Sequence, residues 1–323
     1  MSPKRIIIDT DPGIDDAFAI LLALASPELS LEGISIAHGN ASAERNTINA
    51  LSILELAHST HIPVAKGCDL PLVQPSLLAL ETHGDSGLGY ASLPAPKIRA
   101  IDQHGADFLI EKILQTPGEL TLICIAPLTN LALAIRREPR IVKAVKEVIV
   151  MGGAIRHQGN QTPQAEFNAY VDPHAAHIVY HSGIPITLVP LDVSYQCILT
   201  HMDVERLSKA QSVISTFISD SSRFYIEFHK EYQNIDGCVI NDALALALAF
   251  APELCDYQEL YVDVDISGGV SMGNTFADFY RLTKKPANMK VALGVRPRDF
   301  IELFLERMEI LSKGLDTGVA LVE

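Results

Sequence analysis

The sequence predicts an α/β protein built on an open, doubly wound, mostly parallel sheet flanked by helices. Three observations carry that reading. Short apolar, β-branched runs recur along the chain; most are continuous instead of alternating, as strands buried on both faces are; and helical patterns separate them, which implies parallel βαβ units.

The strand candidates, in order, are Arg5–Ile8, Leu31–Ala37, Leu120–Ile125, Glu147–Met151, Ile184–Leu188, Leu260–Ile266 and Met289–Val295. Between them lie helical patterns at Asp15–Ala25, Ala43–Ser59, Gln103–Gln115, Leu128–Arg137, Pro173–His181, Ser212–Glu231, Asn241–Phe250 and Arg298–Leu311. One helix carries its own punctuation, because Asp172-Pro173 supplies an N-cap followed by Pro at the first helical position and Gly183 lies just past its end. Gly67–Pro96 is rich in Pro, Gly and Ser and predicts a long loop. Near 200–232 the alternation gives way to two adjacent helices, an insertion placed to cap a pocket. With no linker-like composition shift, residues 1–323 are expected to form a single domain.

Composition narrows the function classes. Of 323 residues, 25 are Lys or Arg and 39 Asp or Glu, a formal charge of −14. No basic block exists to pair phosphates, so neither nucleic acid nor an anionic membrane is an expected partner. The apolar run before Asp9 is only the three residues Ile6–Ile8, too short for the ~7–15-residue apolar region of an export signal. The apolar stretches Ala17–Ala25 and Ala243–Ala251 fall well short of the ~20 residues that span a bilayer. Five scattered cysteines without a C-x-x-C pair suggest neither zinc fingers nor a disulfide framework. Reduced thiols and the missing export signal together predict a cytoplasmic protein.

The chemistry concentrates at Asp9-Thr-Asp11-Pro-Gly13-Ile-Asp15-Asp16, four carboxylates in eight residues where the first strand gives way to the first helix. Open α/β sheets bind ligands at such strand ends. Asp9 and Asp11, two apart on a strand, share a face, and Gly13 permits the tight turn. The helix dipole is worth only ~0.3–1 kcal/mol per charge, and close carboxylates in a dry crevice repel by several times that. A cation is therefore expected among them, and all-oxygen ligands select Ca²⁺ or Mg²⁺ over zinc or copper. An EF-hand is excluded, because its twelfth position would be Ile20 instead of Glu. A haloacid-dehalogenase-like phosphatase also begins Asp-x-Asp after a strand, but Pro-Gly-Ile-Asp-Asp departs from that pattern.

The Asp9–Asp16 motif followed by Ala-Phe-Ala-Ile closely resembles the inosine–uridine nucleoside hydrolase family. Further segments agree in order: Gly39-Asn40, His83-Gly-Asp-Ser-Gly-Leu88, Pro127-Leu-Thr-Asn130, Met151-Gly-Gly-Ala154, Asn160, Ala165-Glu-Phe-Asn168 and Asp172-Pro173. The resemblance implies a Ca²⁺-dependent N-ribohydrolase that splits ribonucleosides into ribose and base, assembled as a homodimer or homotetramer. It implies Asp11 as general base and metal ligand, with Asp16, Asp242 and the carbonyl of Ile125 completing the metal set. Asp15, Asn40, Asn160, Glu166 and Asn168 would hold ribose hydroxyls, with Met151 packing nearby and Asp9 supporting the metal from behind. Such chemistry passes through an oxocarbenium-like state, which requires an activated water on one face of C1′ and negative groups around the sugar.

One position departs from the family. Many members carry His immediately before the late metal-binding Asp, whereas this chain reads Asn241-Asp242. An amide donates a hydrogen bond but transfers no proton near neutral pH. His83 and His229 are the preferred base-recognition residues, and Tyr225, His229 and Tyr232 share one helical face by spacing. His83 and its following residues favour pyrimidine substrates by resemblance. Asn241 also motivates two rival readings: a Ca²⁺-dependent nucleoside- or ribose-binding protein with weak turnover, and a hydrolase of another N-riboside whose cationic leaving group needs no acid. The His174/His177/His181 stripe reads as ordinary helix surface or core.

Overall fold

A computed structural model describes residues 2–317. Its centre is an eight-stranded sheet. In chain order the strands are β1 (Lys4–Thr10), β2 (Leu29–Ile36), β3 (Val64–Lys66), β4 (Thr121–Cys124), β5 (Glu147–Met151), β6 (Ile186–Val189), β7 (Ile198–Leu199), β8 (Cys238–Val239), β9 (Cys255–Leu260), β10 (Val262–Val264), β11 (Thr275–Ala277) and β12 (Met289–Val295). The sheet runs β3-β2-β1-β4-β5-β6-β12-β9, while β7 pairs β8 and β10 pairs β11 in two small antiparallel ribbons. All pairings within the main sheet are parallel except β12 with β9.

Alternate residues of the central strands feed two cores. Ile6, Ile8, Ile34, Ile36 and Ile123 face one; Ile7, Leu122, Val148, Val150 and Leu188 face the other. Each such fully buried aliphatic side chain contributes roughly 1.5–3 kcal/mol. This explains why the strands read as continuous apolar runs.

Most predicted elements are present, with two informative differences. β3 escaped notice because three residues carry no period. The expected strand Leu260–Ile266 is instead two elements, since β9 ends at Leu260 and β10 turns away to pair β11. β9 is an edge strand whose Asp256, Tyr257, Gln258 and Glu259 are exposed, so no apolar run marked it. The insertion is two helices, His201–Ser208 and Val213–Gln233, and the long loop 67–96 contains a single helical turn, Leu80–His83. Among the described residues no helix is long and apolar enough to cross a membrane.

Chain order reverses between β1 and β4, which lie side by side at the sheet's centre. At that point the helices following the two strands leave to opposite faces, opening a crevice beyond the carboxyl ends of the strands.

Candidate active site

The crevice is lined by residues from distant parts of the chain. Asp15 comes from the helix after β1, Asn40 from the loop after β2, Ile125 from the end of β4, and Met151 from the end of β5. Asn160, Glu166 and Asn168 come from the loop and short helix that follow, His83 from the long loop, Tyr225 and His229 from helix Val213–Gln233, and Asn241 and Asp242 from helix Asn241–Ala247. The space among these residues, out to the open mouth of the pocket, is about 600 Å³.

Its floor is acidic. Asp15, Asp16 and Asp242 each offer an oxygen within 4.8 Å of the others, a set able to hold a metal ion. Asp16 is the most firmly fixed: Oδ1 accepts from Thr10 Oγ1 at 2.5 Å, and Oδ2 accepts from Gly13 N at 3.0 Å and Asn40 Nδ2 at 2.8 Å. Asp11 stands beside them with Oδ2 accepting from Asn40 N at 2.6 Å, while its Oδ1, fully buried, has no hydrogen-bond partner. Asp9 lies behind, its Oδ1 accepting from Ser35 Oγ and, at 2.9 Å, from Asn130 Nδ2; its Oδ2 has no partner. Asn130 thus connects the Pro127–Asn130 segment to the acidic strand end.

Electrostatics make these carboxylates unsettled without a counter-charge. Burial, then the neighbouring Asp16, pushes Asp11 well above the usual carboxylate range. Asp15 is pushed up to about 7 by burial and Asp16, and burial raises Asp9 to about 6. Asp242 is raised by burial and then by Asp15, Asp16 and Asp11. Orphaned buried oxygens in an all-oxygen donor set fit a hard divalent cation.

The residues expected to hold ribose hydroxyls are already engaged with the protein. Glu166 caps its helix, with Oε1 accepting from Asn168 N at 2.8 Å and Oε2 from Gly153 N at 2.8 Å and Ala169 N at 3.0 Å. Asn160 Oδ1 accepts from Phe167 N, and Asn168 Nδ2 points to the carbonyls of Ile125 and Met151 at 3.3 and 3.4 Å. Asn241 does not extend freely into the pocket. Its Oδ1 accepts from Ser194 Oγ at 2.8 Å and its Nδ2 donates to Asp15 Oδ2 at 3.1 Å.

The far end is aromatic. Rings of His83 and Tyr225 lie 5.4 Å apart, and those of Tyr225 and His229 4.4 Å apart. Hydrogen bonding fixes both imidazole tautomers. Ile14 N–H donates to His83 Nδ1, which leaves the proton of the neutral ring on Nε2. His229 Nδ1 donates to the carbonyl of Tyr225, which leaves Nε2 as an acceptor. Burial keeps both rings neutral, pulling His83 down to about 3 and His229 down to about 4. Tyr232, expected on the same face, is instead 62% exposed. It lies two turns beyond Tyr225, about 10 Å along the axis, where the helix has passed the rim. Tyr195, Phe228 and Gln233 also line the pocket; Phe228 and Gln233 were within reach of a reading of that helix, whereas nothing in its local sequence marks Tyr195.

A doubly wound sheet with buried carboxylates at its switch point and an aromatic pocket beyond them defines an enzyme for a small polar substrate. The inosine-uridine preferring nucleoside hydrolase family model matches residues 6–302. The chain is 36% identical over 308 residues to the pyrimidine-specific ribonucleoside hydrolase RihA of Shewanella sp., covering 95% of this chain and 96% of that protein. It is 35% identical to the inosine-uridine preferring nucleoside hydrolase of Crithidia fasciculata, covering 95% and 98%. The solved purine-preferring ribonucleoside hydrolase from Gardnerella vaginalis superposes with a TM-score of 0.91 at 33% identity, covering 96% of this chain and 99% of that one. This chain belongs to the inosine-uridine preferring nucleoside hydrolase family and is an N-ribosyl hydrolase.

Proposed function

We propose that the protein hydrolyses the N-glycosidic bond of ribonucleosides with the aid of Ca²⁺, favouring pyrimidine bases. The observation that carries this reading is the pairing, in one pocket, of a buried acidic floor with a neutral donor–acceptor histidine pair at the opposite end. Asp11, Asp16, Asp242 and the Ile125 carbonyl would hold the ion, with Asp15 close enough to join them. Calcium, when bound, supplies charge that polarises the attacking water and orients the ribose diol. Asp11, kept ionised beside the bound ion, would take the water's proton. Asp15, Asn40, Asn160, Glu166 and Asn168 surround the ribose, and Met151 packs against it. Their polar groups would disfavour a sugar lacking a hydroxyl, because a buried polar group would then lose its partner.

At the base end, His83 offers an N–H and His229 a lone pair, complementary to the adjacent carbonyl and N–H of uracil. Hypoxanthine presents the same adjacent carbonyl and N–H, so the preference for pyrimidines rests on the resemblance of the His83–Leu88 segment to pyrimidine-preferring members. Neither histidine is charged at neutral pH, and Asn241 carries no transferable proton. Departure of the base is therefore assisted by hydrogen bonding to its developing charge. We further infer a homodimer or homotetramer, on family resemblance, and a cytoplasmic location, on its five free cysteines.

Reducing-sugar release from uridine, cytidine, inosine and a cationic-base riboside, with calcium and after chelation, tests the proposal. Calcium-dependent release, fastest from uridine or cytidine, is expected. No release from any of them overturns it; preference for the cationic riboside would instead support the reading that no leaving-group acid is needed.

A further inference from the structure

The histidine stripe on helix Pro173–Tyr180 has a partner that its sequence does not reveal. His177 Nδ1 lies 3.1 Å from Asp263 Oδ1, and His181 Nε2, just past the helix end, lies 2.9 Å from the same oxygen. One ligand atom from each of the three residues falls within 4.8 Å of the others. Two tetrahedral ligands bound at about 2.1 Å stand about 3.4 Å apart, so the observed spacings need only a small expansion to admit an ion.

The surroundings hold the donors in place. Asp263 sits on β10, and its other oxygen accepts from Tyr261 O–H at 2.7 Å, while Val264 N donates to Oδ1 at 2.9 Å. Lys285 Nζ in turn donates to the Tyr261 hydroxyl at 2.5 Å. Asn288 Nδ2 bridges the carbonyls of Tyr180, at the helix end, and Val262, on the strand, at 3.0 and 2.9 Å. That clamp fixes the helix carrying the histidines against the ribbon carrying the carboxylate. Outer hydrogen bonds of this kind orient metal ligands and tune their basicity. His177 and His181 are partly open to solvent, at 39% and 30% exposure, and the group borders a surface pocket lined by Asp265, Ser267, Ser271 and Phe276. The group is thus open to entry from solvent.

We propose that His177, His181 and Asp263 form a second metal site, separate from the acidic pocket, that takes Zn²⁺. Two imidazoles and one carboxylate are borderline donors that disfavour the all-oxygen preference of calcium and suit zinc. Binding would exchange the two N–H···O contacts to Asp263 for two N–Zn bonds and one O–Zn bond, the proton of each neutral imidazole moving to its other ring nitrogen so that the bound nitrogen presents its lone pair. The ion would join the β10–β11 ribbon to the helix and stabilise that contact by linkage.

Untagged protein, stripped with chelator and repleted with calcium, should take up Zn²⁺ in calorimetry with one more equivalent than the His181→Ala or Asp263→Asn variant. Tyr261→Phe, which keeps all three ligands, should weaken that equivalent about tenfold or more. Zn²⁺ should raise the Tm of the parent and leave those of the two ligand variants unmoved. Equal uptake by parent and ligand variants, or no uptake, overturns the proposal. Because the readout is a difference at residues far from Asp15 and Asp242, it is independent of what the acidic pocket binds.

Discussion

The side-chain amide of Asn241 donates to Asp15 Oδ2 at 3.1 Å, joining the helix that follows β8 to the helix that follows β1. Its own carbonyl is held by Ser194 Oγ at 2.8 Å, so both ends of the amide are committed. Asn241 therefore orients a carboxylate on the acidic floor of the pocket. Asn241→Ala should lower kcat/KM by about 10- to 100-fold, the worth of one hydrogen bond to a charged group at ~1.5–3 kcal/mol. KM should carry most of the change. Ser194→Ala, one step removed, should act in the same direction with a smaller loss. A drop confined to kcat in steady-state kinetics would show that Asn241 acts on the leaving base instead.

Asp11 offers a cleaner separation of chemistry from stability. Asp11→Asn keeps the Asn40 N–H partner but removes the charge and the proton-accepting capacity. We expect kcat to fall about 100- to 10,000-fold, the usual range for a lost general base. In the metal-free protein the same change should leave the unfolding midpoint equal or higher, because burial and Asp16 already oppose ionisation there. Near-normal turnover would remove Asp11 from the base role.

Gly39 has a requirement legible only in three dimensions. With φ of +151° it approaches Asp11 so closely that an added Cβ would stand 2.1 Å from Asp11 Oδ2. Gly39→Ala must displace that carboxylate, because the added Cβ would also stand 3.1 Å from Pro127 Cδ and has little room to turn aside. A shift of about 1 Å at a reacting group costs on the order of 100-fold in rate. Activity and calcium affinity should both fall in Gly39→Ala, measured by turnover and calorimetry; Gly183→Ala, where nothing lies within 4 Å, should leave both unchanged.

The parallel strand–helix architecture, the acidic cluster and the pocket helices were readable because each rests on local pattern: buried parallel strands on apolar runs, and the acidic floor on four carboxylates around one turn. What escaped depended on pairing. Asn241 was recognisable as a departure, but its bonds to Ser194 and Asp15 span 47 and 226 residues. The Ile14–His83 bond, across 69 residues, and the meeting of His177 and His181 with Asp263, across 86 and 82, arise in the same way. Edge strand β9, polar on the exposed side, offers no apolar period to find.

The pH dependence of stability should reverse on metal loading. Asp15, raised to about 7, and Asp9, raised to about 6, bind protons in the folded protein at pH values where the unfolded chain, near 4, does not. Between those limits the native state holds more protons, so the stability of the metal-free protein rises as pH falls from about 7 toward 4. The histidines oppose this: His83 and His229, held neutral down to about 3 and 4, make the unfolded state the better proton acceptor below about 6.5. With calcium bound the carboxylates stay ionised and their contribution is suppressed, because protons must compete with the ion. Metal-free protein should therefore gain Tm between about pH 7.5 and 6.5, where the carboxylates act before the histidines, and calcium-loaded protein should lose Tm below about 6.5. His229→Gln should flatten the acid-side loss of the loaded form. Parallel Tm–pH curves for the two forms would show that the acidic floor is already neutralised without the ion.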